Sequence, residues 1–264
     1  MLSPPLTRGG WEGFEVCEQI EYKFCSQRVI SWLMVKSRFV YFDCVSMAKR
    51  YDLIVFDWDG TVMDSTAVIA NSIQSACRDL DLTVPSDEVA RHVIGLGLDQ
   101  ALRYAVPSAG AEKHNDLVAR YRHHFFSQEN AMPLFEGAAQ LMQELRADGF
   151  YLAVATGKNR NGLDRALKSS NMAQYFHSTR TADQTVSKPD PTMLREILEE
   201  LDVSAARALM VGDTTHDLQM AINAGVDSLA MSHGAHPPEQ LLELQPVALL
   251  HDFAGLREWL KDNA

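Results

Sequence analysis

Short apolar runs without a helical period alternate with amphipathic stretches in the second half of the chain. The first run, Leu-Ile-Val-Phe at 53–56, is typical of a strand buried on both faces of a parallel sheet. Further strands are predicted at 150–155, 175–181, 208–211, 227–231 and 247–250, and helices at 137–147, 161–170, 191–201 and 215–224. This alternation predicts an α/β fold with helices on both faces of a parallel sheet.

Between the first two strands the apolar positions follow a helical spacing instead. Helices are predicted at 64–80, 86–92, 98–105 and 111–128, and no strand is predicted from 65 to 132. We therefore predict an all-α domain at 65–132, inserted into a core made of residues 47–64 and 133–264. A glycine-containing turn at 94–97 either faces a ligand or simply connects two helices.

Residues 1–46 differ in character from the rest of the chain. They begin with Pro-Pro and Gly-Gly pairs, and their aromatic residues and cysteines show no clear period. Met47 then leads directly into the first predicted strand, as a natural amino terminus would. We hypothesise that residues 1–46 are a dispensable extension, either disordered or not native to the protein.

Composition narrows the classes of function. With 264 residues, 46% of them hydrophobic, the chain can bury a sizeable core. Its net charge of −11 argues against nucleic acid or an anionic membrane as a partner. The four cysteines form no C-x-x-C pair, and the apolar stretch at 29–45 is too short and too charged for a membrane span. We therefore expect a cytoplasmic protein that is a monomer or a small homo-oligomer.

Polar side chains follow three of the predicted strands: Asp57 and Asp59, Thr156 and Gly157, and Asp213 and Asp217. In an open parallel sheet, ligands bind at the carboxyl ends of the strands, near the point where the strand order reverses. The pattern thus predicts one shared site. Taken alone, Asp57 to Gly60 could equally be a strand followed by an ordinary Asp-Gly turn.

Converging carboxylates require a compensating cation. Two carboxylates about 4 Å apart repel by roughly 4 kcal/mol at an effective dielectric constant near 20. Oxygen ligands favour Mg²⁺, which usually shares its coordination shell with waters and a substrate phosphate. Lys188, in Ser-Lys-Pro-Asp-Pro, could supply a fixed positive charge, or it could be a solvated surface lysine.

Taken together and in this order, four motifs resemble the haloacid dehalogenase superfamily of hydrolases: Asp57-x-Asp59-Gly60-Thr61, Thr156, Lys188-Pro189 and Gly212-Asp213-x-x-x-Asp217. The helical insert after the first motif resembles the members with an all-helical cap, notably phosphoglycolate phosphatases. The resemblance covers residues 51–255. It implies a three-layer Rossmann-like core with an inserted all-α cap.

The resemblance also implies a role for each motif residue. Asp57 would be the nucleophile that forms an aspartyl-phosphate, and Asp59 the general acid and then the base. Thr156 and the amide of Gly157 would bind phosphoryl oxygens, and Lys188 would neutralise charge. The Mg²⁺ ligands would be the side chains of Asp57 and Asp213, the backbone carbonyl of Asp59, and Asp217 directly or through water.

We therefore expect a Mg²⁺-dependent phosphatase that acts on a small phosphorylated metabolite, with phosphoglycolate as the first candidate. A sugar-phosphate phosphatase, a pyrophosphatase and a phosphomutase are alternatives within the superfamily. A non-catalytic phospholigand-binding module is the alternative from a different class. Trp58 replaces the usual aliphatic residue between the two aspartates, so we expect it to narrow the entrance or to contact the cap.

Overall fold

A computed structural model of the chain describes residues 22–25, 28–35, 38–41, 49–128 and 132–264. Contacts divide the chain into two compact units, Met1–Ala48 and Lys49–Ala264. The first unit contains an antiparallel sheet of three strands in the order β1 (Tyr22–Cys25), β2 (Arg28–Val35) and β3 (Arg38–Tyr41). The sequence pattern did not predict these strands. The rest of the proposed extension, and its end at residue 46, lie outside the described residues.

The second unit is built on a six-stranded parallel sheet in the order β6-β5-β4-β7-β8-β9. Its strands are β4 (Leu53–Phe56), β5 (Tyr151–Thr156), β6 (Ser178–Thr181), β7 (Ala208–Gly212), β8 (Asp227–Met231) and β9 (Ala248–Leu250). Every residue of β4 is buried, because β4 pairs on both sides and is covered on both faces. The predicted α/β fold is confirmed.

The first four α-helices after β4 are α1 (Thr66–Asp79), α2 (Asp87–His92), α3 (Leu98–Ala105) and α4 (Gly110–Gln128). Residues 65–128, all of which the structure describes, contain no strand. The chain enters and leaves this helical cap side by side, since Asp64 N donates to Pro133 O at 3.0 Å and Phe135 N donates to Val62 O at 3.0 Å. This short pairing connects the cap to the core.

Six further helices cover the sheet: α5 (Ala138–Ala147), α6 (Arg160–Ser169), α7 (Thr192–Leu201), α8 (Thr215–Ala224), α9 (Pro238–Glu243) and α10 (Phe253–Asn263). Leu53 and Val55 pack on one face with residues of α7 and α8, whereas Ile54 and Phe56 belong to the core on the other face with residues of α5 and α10. Successive side chains of a strand point to opposite faces, so β4 contributes to both cores.

One predicted strand needs correction. Strand β6 begins at Ser178, because the preceding residues Ala173–Tyr175 form a 3₁₀ turn, so the strand predicted at 175–181 was too long. Helices α9 and α10 were not predicted. Asp252 caps α10 by accepting a hydrogen bond from Gly255 N at 2.7 Å.

Within the part of the chain that the structure describes, no helix has the length and apolar character needed to cross a membrane.

Candidate active site

The carboxyl ends of the three central strands meet at one cleft between the core and the cap. Strand β4 has β5 on one side and β7 on the other, so the strand order reverses at β4. Asp57 follows β4, Thr156 ends β5, and Asp213 follows β7. All three residues are buried, and Asp57 and Thr156 line the cleft whereas Asp213 does not.

Three aspartates and one lysine form a buried charge cluster. Carboxylate oxygens of Asp57, Asp213 and Asp217 lie within 4.8 Å of one another. The Nζ atom of Lys188 donates to Asp57 Oδ1 and to Asp217 Oδ1, both at 2.6 Å. Lys188 is fully buried, so its alternative interpretation as a solvated surface lysine is wrong. The Thr214 hydroxyl, 2.7 Å from Asp217 Oδ2, holds the other oxygen of that carboxylate.

Asp213 is held on both of its carboxylate oxygens. Thr61 Oγ1 donates to Oδ1 at 2.6 Å and Ala235 N donates to Oδ2 at 2.7 Å. Gly60 passes so close that a Cβ atom there would lie 2.3 Å from Asp213 Oδ2, and its φ of +89° also favours glycine. By contrast, Asp57 Oδ2 is buried and has no hydrogen-bond partner among the described residues.

The charges of this cluster do not balance. Burial raises the pKa of Asp57 well above its usual value, and Asp217 and Asp213 add to the effect while Lys188 opposes it. Burial and the charge of Asp217 raise the pKa of Asp213 to about 7. Burial disfavours the charged form of Lys188, but the neighbouring carboxylates outweigh it and raise the pKa of this lysine.

A divalent cation fits this arrangement. Three ionised carboxylates and one ammonium leave two negative charges in excess. The donors are hard oxygens, which suit Mg²⁺, and Asp57 Oδ2 is a buried oxygen that lacks a partner. The cluster could therefore hold a metal ion.

The raised pKa of Asp213 predicts a pH-dependent stability of the metal-free protein. The folded protein binds this proton more tightly than the unfolded chain, whose Asp pKa is near 3.8, so stability is lost as the pH rises from about 4 to about 7. One such proton gives a slope of about 1.4 kcal/mol per pH unit. The decrease in Tm from pH 5 to pH 8, measured by thermal unfolding, should be smaller for Asp213→Asn than for the wild type. Mg²⁺ should raise the wild-type Tm at pH 8. An equal decrease in Tm in both proteins would contradict the assignment of the raised pKa to Asp213.

Asp59 also lines the cleft but stands apart from the three clustered carboxylates. Its Oδ1 atom accepts a hydrogen bond from Ser65 Oγ at 2.7 Å and lies 3.0 Å from Lys158 Nζ. The side chain is thus oriented by one residue at the start of the cap and one after β5. Sequence patterns did not predict either contact.

The turn at 94–97 lies against the loop after β5. A Cβ atom on Gly157 would lie 2.4 Å from Leu96 O and 2.5 Å from Gly95 O, so only glycine fits here. Thr156 Oγ1 accepts a hydrogen bond from Lys158 N at 3.2 Å, which fixes the shape of this loop. Ile94, Gly95 and Leu96 of this turn line the cleft, as the ligand-facing interpretation requires, and the turn also connects α2 to α3.

The cleft has a volume of about 100 Å³ and a mostly apolar cap side, formed by Ile69, Ile73, Val93, Ile94, Leu98 and Ala101. Burial, together with the charge of Asp59, raises the pKa of Tyr121, which also lines the cleft. Apart from Asp57 and Asp59, the charged residues that line it are Arg122, Lys158 and Arg165. Every charged residue of the lining other than the two aspartates is therefore cationic, although the chain as a whole is acidic.

Trp58 does not line the cleft. Its side chain is fully buried, and its ring packs edge-on against Phe176 of the core at a centroid distance of 6.2 Å. Side chains alternate along extended backbone, so a residue between two cleft-facing aspartates points away from the cleft. The expectation that Trp58 narrows the entrance was wrong, and the alternative that it contacts the cap stays a prediction.

His92, His216 and His236 form a second group with the spacing of a metal site. The Nε2 atoms of His216 and His236 donate to the His92 backbone carbonyl at 2.8 and 3.0 Å, and Thr215 N donates to His236 Nδ1 at 3.1 Å. Both ring nitrogens of His236 are therefore occupied. Burial lowers the pKa of His236 to about 4, in keeping with a neutral ring. The cluster connects α2 of the cap to the core through the hydrogen bonds from His216 and His236 to the His92 carbonyl.

Comparison with known proteins places this site in context. Residues 54–231 match the family described as haloacid dehalogenase-like hydrolase. Similar proteins include probable phosphatase IndB of Dickeya dadantii, 32% identical over 76% of this chain and 90% of the relative, and phosphoglycolate phosphatase of Vibrio cholerae, 30% identical over 80% and 97%. A hydrolase from Pseudomonas syringae shares the fold, with a TM-score of 0.73 and 18% identity over 81% and 99%.

Proposed function

Because the chain belongs to the haloacid dehalogenase-like hydrolases and is a phosphoric monoester hydrolase, we propose that it hydrolyses a small phosphorylated metabolite through an aspartyl-phosphate on Asp57. The observation that carries the proposal is the pairing of two differently placed carboxylates at one cleft. Asp57 is buried and ion-paired to Lys188, whereas Asp59 is bound by Ser65 and Lys158. Two carboxylates with different partners at one cleft suit the roles of a nucleophile and a separate proton donor.

In the first step, a carboxylate oxygen of Asp57 attacks phosphorus, and the bond from phosphorus to the leaving oxygen breaks. Asp59 donates its proton to that oxygen, so the leaving group departs as an alcohol. Lys188 holds Asp57 Oδ1 and thereby fixes the orientation of the attacking group. Thr156 Oγ1 and the amide of Gly157 bind the phosphoryl oxygens and position them for in-line transfer.

In the second step, Asp59 takes a proton from water, and the resulting nucleophile attacks the phosphorus of the aspartyl-phosphate. The bond between phosphorus and the Asp57 oxygen breaks, which releases inorganic phosphate and restores the carboxylate. The same group thus acts first as acid and then as base.

We further propose Mg²⁺ as the cation, held by Asp57, Asp213 and the backbone carbonyl of Asp59, with Asp217 binding directly or through water. When bound, Mg²⁺ supplies positive charge that offsets the negative charge of the cluster and of the phosphate. The unpartnered Asp57 Oδ2 and the excess of negative charge support this assignment.

Phosphoglycolate is our proposed substrate. The cationic lining favours an anionic leaving group, and the mostly apolar cap side would leave several hydroxyls of a sugar without partners. A phosphomutase would need an acid-base residue from the cap, and the described cap residues that line the cleft include no carboxylate or imidazole. The V. cholerae relative bears the name of this activity.

A panel of phosphate esters tests the substrate, with phosphate release as readout. We expect the highest kcat/KM for 2-phosphoglycolate. Arg122 lines the cleft, so Arg122→Met should lower that value by roughly tenfold or more, as expected for losing a hydrogen bond between charged groups. Ethyl phosphate, whose leaving group is neutral, should be affected much less. Arg120→Met, which removes an exposed arginine from the same helix, is the matched control.

The possible outcomes separate the alternatives. A sugar phosphate or pyrophosphate as best substrate would overturn phosphoglycolate but keep the phosphatase. Equal losses on both esters in Arg122→Met would remove Arg122 from leaving-group recognition. No release from any ester would favour a phospholigand-binding module.

A further inference from the structure

Lys158 contacts the proposed proton-transfer residue and an aromatic ring of the cap at the same time. Its Nζ atom lies 3.0 Å from Asp59 Oδ1 and 4.8 Å from the centroid of the Phe125 ring. Both Lys158 and Asp59 have only 10% of their side chains exposed, and Phe125 is 6% exposed. The three groups form a continuous, nearly dry contact from α4 to the cleft.

The backbone of Lys158 is fixed by the core. Its amide donates to Thr156 Oγ1 at 3.2 Å and its carbonyl accepts from Ala182 N at 3.0 Å. Only the side chain therefore remains to be oriented. An ammonium in so buried a place is stabilised by a carboxylate and by the negative face of an aromatic ring. Here the core provides the carboxylate and the cap provides the ring.

We propose that Lys158 is a positioning residue that makes proton transfer by Asp59 depend on Phe125 of the cap. This inference rests on the proposed function, because it concerns the acid-base step of that reaction. Phe125 holds the ammonium in place, the ammonium and Ser65 together orient Asp59 Oδ1, and the proton then moves along a defined direction. Removal of either Lys158 or Phe125 misorients the same carboxyl group.

The next residue of α4 provides a matched control. Phe126 lies over the guanidinium of Arg165, with 4.6 Å between the guanidinium carbon and the ring centroid. Like Phe125, Phe126 is a cap aromatic ring that lies over a cation of the core, but its cation is Arg165 and not Lys158. Phe126 is also 45% exposed, so its loss disturbs packing less.

A double-mutant cycle tests the coupling. Lys158→Met, Phe125→Leu and the double variant are compared on 2-phosphoglycolate and on p-nitrophenyl phosphate. Misplacing a catalytic group costs up to about 10²-fold, so we expect Lys158→Met to lower kcat by roughly tenfold. Phe125→Leu should lower kcat in the wild type and have little further effect once Lys158 is methionine. The effect of Phe126→Leu should be the same in both backgrounds.

Leaving-group chemistry separates positioning from a general structural defect. p-Nitrophenolate departs without a proton, so Lys158→Met should still release a burst of it in the first turnover and then slow at phosphoenzyme hydrolysis. Lys158→Arg, which keeps a cation that can contact both partners, should recover most of the activity on both esters. A damaged cleft would lose the burst as well.

If the effects of Lys158→Met and Phe125→Leu on ln kcat were additive, or if Lys158→Met lost the p-nitrophenolate burst, the inference would be overturned and the proposed phosphatase activity would stand. An inactive wild type would instead overturn the proposed function. If Phe125→Leu does not fold, as judged by its thermal unfolding, Phe125→Met replaces it in the cycle. The comparison of Lys158→Met with Lys158→Arg does not require Phe125→Leu or Phe125→Met to fold.

Discussion

Asp57→Asn is expected to abolish turnover, with phosphate release falling by on the order of 10⁴-fold or more. The reason is chemical, since the amide cannot form the aspartyl-phosphate. The variant also removes a negative charge beside Lys188 and from the buried cluster. The fold should survive, because an amide of the same shape replaces a carboxylate whose pKa is already raised by burial. Loss of activity with an unchanged circular dichroism spectrum is therefore the expected result.

Two control variants accompany Asp57→Asn. Asp57→Ala cannot revert to aspartate by deamidation, so residual activity found only in the asparagine variant would come from reverted protein. Asp52→Asn changes an aspartate just before the other end of β4, where it forms an ion pair with Arg207 outside the cleft. That variant should keep wild-type turnover. Substantial turnover by Asp57→Ala would disprove the nucleophile assignment.

Asp59→Asn is expected to lower kcat on 2-phosphoglycolate by about 10²- to 10⁴-fold, the usual contribution of general acid-base catalysis. The loss should be smaller for the burst phase with p-nitrophenyl phosphate, because that leaving group needs no proton. Hydrolysis of the phosphoenzyme needs the base with either ester, so the intermediate should accumulate. Quenched-flow measurement of the p-nitrophenol burst checks both statements.

Asp64→Asn is the matched control for Asp59→Asn. Asp64 belongs to the same segment but is exposed, so its replacement should leave the burst and the steady state close to wild type. If Asp59→Asn hydrolysed both esters at the wild-type rate, Asp59 would have no part in proton transfer.

The sequence allowed prediction of the sheet and of the residues at the ends of its central strands. Parallel strands place their carboxyl ends at one edge, so a buried run followed by acidic residues predicts both the strand and the location of its polar neighbours. Asp57, Thr156 and Asp213 are brought together in this way. Lys188 remained ambiguous, because no local pattern distinguishes a buried lysine from a solvated one.

Other features depend on contacts that no local pattern encodes. The contact of Lys158 with Phe125 joins a loop of the core to a helix of the cap, and helical periodicity alone does not say which cap residue faces the cleft. For Trp58, by contrast, the alternation of side chains along extended backbone was a local signal that the expectation of a narrowed entrance did not use. Helix α10 was overlooked although Phe253, Leu256 and Leu260 are buried at helical spacing.

The identity of the phosphorylated residue tests the central claim most directly. Asp59→Asn is mixed with p-nitrophenyl phosphate and Mg²⁺, quenched in acid, digested and analysed by mass spectrometry. Our account predicts a single phosphoryl group on Asp57 and none in the variant that also carries Asp57→Ala. A phosphoryl group on another residue, or turnover without any phosphoenzyme, would contradict it.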